Sequence, residues 1–120
     1  MTFDINLKVL SLNNLLRKNK WTCKRATDEA KEAAFYAIKQ AKLKPIKQFP
    51  VVITFHAVWK NKIRRDVDDL FTKPIVDQLV RSGILPDDSL AYVSKVVFTG
   101  EIGMKRDHLV VHIDLDPTAG

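Results

Sequence analysis

Apolar and polar residues alternate from Phe3 through Ile5 and Leu7 to Val9 in "TFDINLKVL", the two-residue period of a half-buried β-strand. "SLNNLLRKNKWTCKR" then loses any period and reads as a polar loop. Thr27 is a candidate N-cap. Behind it Ala30, Ala33, Ala34, Ala37, Ile38 and Ala41 recur at helical spacing, which predicts a helix to about Lys42. "KPIKQFP" ends it, and "VVITFHAVW" is β-branched and apolar throughout, as in a central strand buried on both faces. Leu70, Phe71, Pro74, Ile75 and Leu79 predict a second helix over 69–82, with Gly83 just past its end. "GILPDDS" reads as a turn. "AYVSKVVF" and "HLVVHIDL" read as two more strands, joined by "TGEIGMKRD", a hairpin loop with two glycines.

The order β-α-β-α-β-β indicates an α/β (α+β) fold, one mixed sheet flanked by two helices. The 120 residues form a single compact domain, 1–120, long enough to bury a core without disulfide or metal staples. A hydrophobic content of 46% sets the chain apart from disordered tails. It has no internal repeat and no apolar run long enough to span a bilayer, so no membrane partner is expected. The N-terminus lacks a signal-peptide pattern. Cys23, the one cysteine, excludes an internal disulfide, suits a reducing cytoplasm and reads as a structural thiol.

Charge changes the picture. Residues 1–65 hold 15 Lys/Arg against 4 Asp/Glu, and residues 66–120 hold 5 against 10, so balances of +11 and −5 sum to the net +6. A basic half suits a polyanion, and the acids beside it would repel that polyanion unless a cation intervened. The junction of the two halves is "RRDVDDLFTK", with Asp66, Asp68 and Asp69 directly behind Arg64 and Arg65. In extended chain the carboxylates of Asp66 and Asp68 would point to one side, and Asp69 would N-cap the second helix. Asp87 and Asp88 make a second acidic pair. Such a set suits a hard divalent cation such as Mg²⁺, and without nearby His or Cys it does not suit zinc. An EF-hand is excluded, because loop positions 6 and 12 counted from Asp66 are Phe71 and Asp77. An aspartyl-phosphate enzyme is disfavoured, because "NKIRR" separates the strand from its acid.

Two basic clusters are candidate phosphate contacts or solvated faces: Arg17, Lys18, Lys20, Lys24 and Arg25, then Lys60, Lys62, Arg64 and Arg65. Trp21, inside the first cluster, either stacks on a base or packs into the core, the core being preferred. His56, His108 and His112 read as structural.

The stretch "RRDVDDLFTKPIVDQLVRSGILPDDSLAYV", with "SLNN" upstream, resembles the RusA family of Holliday junction resolvases of bacteria and their prophages. The resemblance runs through nearly the whole chain and is specific in that central segment. It implies a homodimer that cuts four-way DNA junctions in recombination and repair, with Mg²⁺ (or Mn²⁺ in its place) and no small-molecule cofactor. The catalytic and metal-binding acids it implies are Asp66, Asp68 and Asp88, the catalytic lysine is Lys73, and Asn13 and Asn14 match the family's N-terminal asparagines. Asp69 stands where the family has Asn, and Asp87 is a further candidate acid. Lys73 also follows Asp66 by seven residues where the family has six. One residue turns a helical side chain by about 100°, so a π-bulge between Asp69 and Pro74 is expected to restore the lysine's aim. A helix over 69–82 is about 21 Å long, and Gly83–Asp88 retraces about 20 Å at most. Asp88 therefore reaches Asp66 tightly within one subunit or completes the partner's site. The rival readings are a non-catalytic junction-binding module and a domain that a divalent cation merely stabilises.

Overall fold

β2 (Val51–Val58), the strand with the longest apolar run, sits inside the sheet. In the computed structural model, which describes residues 1–118, it lies between β4 (His108–Leu115) and β3 (Val93–Glu101). β1 (Thr2–Ile5) lies beyond β4, giving the order β1-β4-β2-β3. The β1–β4 and β4–β2 pairs are antiparallel and β2–β3 is parallel, so the sheet is mixed. Helices α1 (Leu12–Leu16), α2 (Lys20–Gln40) and α3 (Lys73–Arg81) complete a single α+β domain.

Alternation along the strands sends Phe3, Ile5, Ile53, Phe55, Ala57, Leu109, Val111 and Ile113 to one face, where they are buried. α2, through Ala30, Ala34, Ala37 and Ile38, and α3, through Ile75 and Leu79, share that core and pack on each other. Each fully buried Leu, Ile or Phe contributes roughly 1.5–3 kcal/mol there. The opposite face is open, and Val52, Thr54 and His56 are only half-buried on it. β2 is thus central as expected but covered on one side, because both long helices take the same face.

Local hydrogen bonding moves several expected boundaries. β1 stops at Ile5, not near residue 10, because the Leu7 N–H donates to the Ile5 carbonyl at 2.8 Å and turns the chain. The expected polar loop over 11–25 is instead α1 plus the start of α2. Asn19 caps α2, its Oδ1 accepting from the Thr22 N–H at 2.9 Å. Thr27 is interior to that helix, where its hydroxyl donates to the Cys23 carbonyl at 2.8 Å. The hairpin expected between the last two strands does not form. β3 and β4 pair with opposite edges of β2, and residues 102–107 cross its end. There Gly103 N–H donates to Asn61 O at 3.1 Å and Met104 N–H to Trp59 O at 3.0 Å.

The second long helix begins at Lys73, not Asp69. Pro74 has no N–H for the Leu70 carbonyl, and its ring would clash with that carbonyl in a longer helix. At the second position of α3 the missing N–H costs nothing. Val67–Asp69 is a single 3-10 turn and Leu70 is extended, so no π-bulge lies between Asp69 and Pro74. The far end of α3 matches expectation. Gly83 has φ +79°, its N–H donates to Val80 O, and Ile84 N–H donates to Leu79 O, both at 3.0 Å.

Candidate nucleic-acid interface

The chain leaves β2 through Trp59, which is buried and anchors the acidic segment. Its indole N–H donates to the Val9 carbonyl at 3.1 Å. Its ring passes Gly100 on β3, where a Cβ would meet the indole at 3.0 Å, so glycine is what lets the ring lie there. Arg65 stacks its guanidinium over the same ring, 4.9 Å from the centroid, and donates from Nη2 to Asn61 Oδ1 at 3.0 Å. Arg65 Nε is buried without a hydrogen-bond partner among the described residues, an arrangement that costs about 1–3 kcal/mol.

Two hollows meet along this arginine, sharing Ser11, Asn14, Arg17 and Arg65. One, of about 330 Å³, adds Asn13, Arg64, Asp66 and Asp69. The other, of about 430 Å³, adds Lys8 and Lys18 beside Thr22 and Ala26 of α2. The fold therefore gathers Asn13, Asn14, Arg17, Lys18, Arg64 and Arg65 into one groove. Lys8 joins them; it was hidden in the sequence because it sits in the alternation that reads as strand.

The other basic candidates stand outside the groove lining. Lys24 pairs with Asp28 at 2.8 Å, and that hydrogen bond raises its pKa above the ordinary 10.5. Lys62 lays its stem over Gly103. Lys20 and Arg25 are exposed on the first turns of α2. Trp21 is not in the core but 79% exposed, beside Lys24 and Arg25. It precedes Ala30 by nine residues, about 900° of helix, which puts it on the opposite side of α2 from the buried alanines.

The acids divide into three kinds. Asp69 is structural. Its Oδ1 accepts from the Asn13 N–H at 2.9 Å and its Oδ2 accepts from the Ser11 hydroxyl. Ser11 in turn caps α1, accepting from Asn14 N–H at 3.2 Å. Ser11 also bridges Leu70, and Phe71 N–H donates to Leu10 O at 3.0 Å, so the acidic turn and the asparagine loop are fastened together. Asp69 caps that loop rather than α3. Asp66 and Asp68 are exposed. Among the described residues, the basic group that pairs with Asp66 is Arg64, at 3.9 Å, and Asp66 lines the groove. Asp68 lies within the 3-10 turn, not in extended chain, and does not line the groove.

The third kind is a cluster at the start of α3. Lys73 donates to Asp88 Oδ2 at 2.7 Å and lies 3.3 Å from Asp77 Oδ1. The hydrogen bond to Asp88, then the one to Asp77, raises the lysine pKa from 10.5. Lys73 in turn lowers Asp88 from 3.8. α3 has nine residues, about 13 Å, so Asp88 returns to the start of α3 within one chain. Asp77 belongs to this cluster although its sequence position reads only as a helix surface. Asp87 is exposed beside it.

Among the described residues, no three Asp, Glu, His or Cys side chains gather as metal ligands. Asp66, Asp68 and Asp88 are thus not assembled into one site. By donor chemistry Asp66 and Asp68 still fit Mg²⁺, which accepts one or two carboxylates and completes its shell with water and substrate phosphate. The histidines are held within the sheet: His56 by Thr99 at 2.6 Å and Glu101 at 2.7 Å, His112 by Thr2 at 2.8 Å. His108 Nε2 lies 4.0 Å from Asp4. Among the described residues, no helix is long and apolar enough to cross a membrane. Comparison with protein-family models and with curated proteins finds no match for the chain.

Proposed function

We propose that this chain is a Mg²⁺-dependent endonuclease that resolves four-way DNA junctions by paired phosphodiester hydrolysis, acting as a homodimer. The observation that carries the reading is the groove of Asn14, Arg17, Arg64 and Arg65 opening directly beside the exposed carboxylate of Asp66. Cations and amide side chains in a groove suit a phosphate backbone. A free carboxylate at that spot repels the same backbone unless a divalent cation joins the two.

In this reading Arg17, Arg64 and Arg65 hold phosphates, and Asn13 and Asn14 contact the strand from α1. Asp66 and Asp68 would hold the ion, which supplies Lewis-acid polarisation of the scissile phosphate and a more acidic bound water. Lys73, positioned by Asp88 and Asp77, neutralises charge on the transition state. Asp88 acts here as the positioning partner of the lysine.

A second reading, a junction-binding module without cleavage, is favoured by one observation: Lys73 and Asp88 are tied to each other at 2.7 Å. A synthetic four-way junction and a matched linear duplex, each with and without Mg²⁺, separate the two. Paired cuts confined to the junction, lost in Asp68→Asn while binding persists, support the nuclease. Binding without cutting in Mg²⁺ or Mn²⁺ supports the module.

A further inference from the structure

The two tryptophans are used in opposite ways. Trp59 is 2% exposed, its indole N–H donates to the Val9 carbonyl, and Arg65 covers its ring. Trp21 is 79% exposed, and among the described residues nothing stacks on its ring or accepts from its N–H. α2 does not need this ring for its packing, which Ala30, Ala34, Ala37 and Ile38 supply. The surrounding charge says what kind of partner the ring suits. The first turn of α2 has no acid. Lys18 and Lys20 precede Trp21, Lys24 and Arg25 follow it, and among the described residues Lys24 alone of these four has an acid partner. The sign reverses one turn later, where Asp28, Glu29 and Glu32 line the same hollow of about 370 Å³ as Trp21. A polyanion is therefore attracted to the ring and turned back from the rest of the helix. The groove lies on its other side. Thr22 and Ala26 line that groove. Arg25, three residues past Thr22, stands about 60° from it around the helix, and Trp21 about 40° beyond Arg25. The indole thus stands at the rim of the groove, with an unpaired cation between.

We infer that Trp21 stacks on an unpaired base of a DNA strand whose phosphates run through the groove and past Arg25. In a duplex each base face is covered by its neighbours. An indole can therefore take only a base that is already unstacked, at a strand end, a gap or an opened step. Every base has a flat face to offer, so stacking of this kind is tolerant of sequence. The site reads exposure of a base, while the arginines of the groove read only its phosphates. The inference rests on the groove holding DNA, as proposed above, and needs neither the metal ion, nor cleavage, nor a second subunit.

Titrations of the full chain without Mg²⁺, followed by tryptophan emission, test it. The probes are single-stranded oligothymidylate, a strand of equal length whose sugars lack bases, and a relaxed closed-circular duplex, which has no ends. The expected result is that oligothymidylate quenches the emission of Trp21 and spares that of the buried Trp59, while the other two probes bind without quenching. Trp21→Ala, an exposed change whose folding circular dichroism monitors, weakens oligothymidylate binding about tenfold. It leaves the salt slope unchanged, since no phosphate contact is lost, and leaves affinity for the abasic strand unchanged. Trp21→Phe recovers part of the loss. Unquenched emission at saturation overturns the inference, and so does a Trp21→Ala that weakens both strands alike. Emission that shifts with protein concentration before DNA is added overturns it too, by giving the ring to a second copy of the chain. Failure to bind any of the three probes removes the DNA groove and the inference with it. Trp21-dependent binding by a chain that cuts no junction leaves the inference standing and removes the nuclease. Junction cutting equal in wild type and Trp21→Ala, with unquenched emission, does the reverse.

Discussion

Asp66 and Asp88 are the same residue type at either end of one segment, yet the fold treats them oppositely. The Asp66 side chain is 65% exposed, with an arginine no nearer than 3.9 Å, whereas Asp88 is 37% exposed and hydrogen-bonded to Lys73 at 2.7 Å. Asp88 is neutralised within the chain. Asp66 shares its hollow with three cations, Arg17, Arg64 and Arg65, without being consumed by them. The difference separates a carboxylate that organises a lysine from one whose charge is left for something outside the protein. Surface ion pairs alone contribute little to stability, so the Lys73–Asp88 contact matters chiefly for where it holds the lysine.

The largest effect should come from the free acids. Asp66→Asn and Asp68→Asn are each expected to slow junction cleavage by at least about 100-fold, the scale of losing metal-assisted charge stabilisation. Junction affinity in gel shifts should stay level or tighten, since a repulsive charge is removed. Asp88→Asn is expected to cost about tenfold, the lysine remaining but losing its position. Equal losses at all three acids in single-turnover assays would break the contrast, placing Asp88 among the groups that act on substrate.

Arg65 comes next. Arg65→Ala is expected to weaken junction binding about tenfold and to flatten the dependence of log affinity on log salt by about 0.9, the share of one phosphate contact. Arg65→Lys keeps the charge but loses the planar stack on Trp59, so it should recover the salt slope and only part of the affinity. An unchanged slope in Arg65→Ala would assign this arginine to packing alone.

Asp69 sharpens the comparison from the acidic turn itself, because it is the member of that turn whose charge is used inside the protein. Asp69→Ala removes the acceptor for Asn13 N–H and Ser11 Oγ and is expected to destabilise the chain by about 1–2 kcal/mol in urea unfolding. Asp69→Asn keeps one acceptor and should cost less than half as much. A neutral Asp69→Ala would mean that the turn and the α1 loop are not fastened through this residue.

These two uses of aspartate were only partly legible in the sequence. The sheet strands and the Gly83 cap were readable because period and turn chemistry are local. The start of α2 was not, because Cys23, Ala26 and Thr27 on its half-buried side are too small or polar to display a helical stripe. The strand order was hidden as well, since which edge of β2 each late strand takes is settled by long-range pairing. At the site, "RRDVDDLFTK" pointed to phosphate and acids, and the fold does bring Arg64, Arg65 and Asp66 to one groove with Asn13, Asn14 and Arg17. The 3-10 turn escaped notice because the helical spacing of Leu70, Phe71 and Ile75 outweighed the signal of Pro74. That proline starts the helix late, and its consequence is the Lys73–Asp88–Asp77 cluster.

The smallest effect is a pH dependence confined to that cluster. Asp88 has its pKa lowered from 3.8 by Lys73, so its contribution is present above pH 4 and is lost as pH falls through its lowered folded value. Lys73 has its pKa raised from 10.5 by Asp88 and Asp77, so its contribution is complete below 10.5 and is lost as pH rises through the raised value. The pair therefore stabilises a plateau between those limits. Thermal melts should show wild type slightly above Asp88→Asn across the plateau, with the two converging at the acid end as the carboxylate protonates. At the alkaline end the two should converge again as Lys73 loses its charge, and with it the attraction to Asp88. Melts of wild type and Asp88→Asn that run parallel down to acid pH would mean that Lys73 does not hold the Asp88 carboxylate, and the distinction between the free and the paired acid would fall.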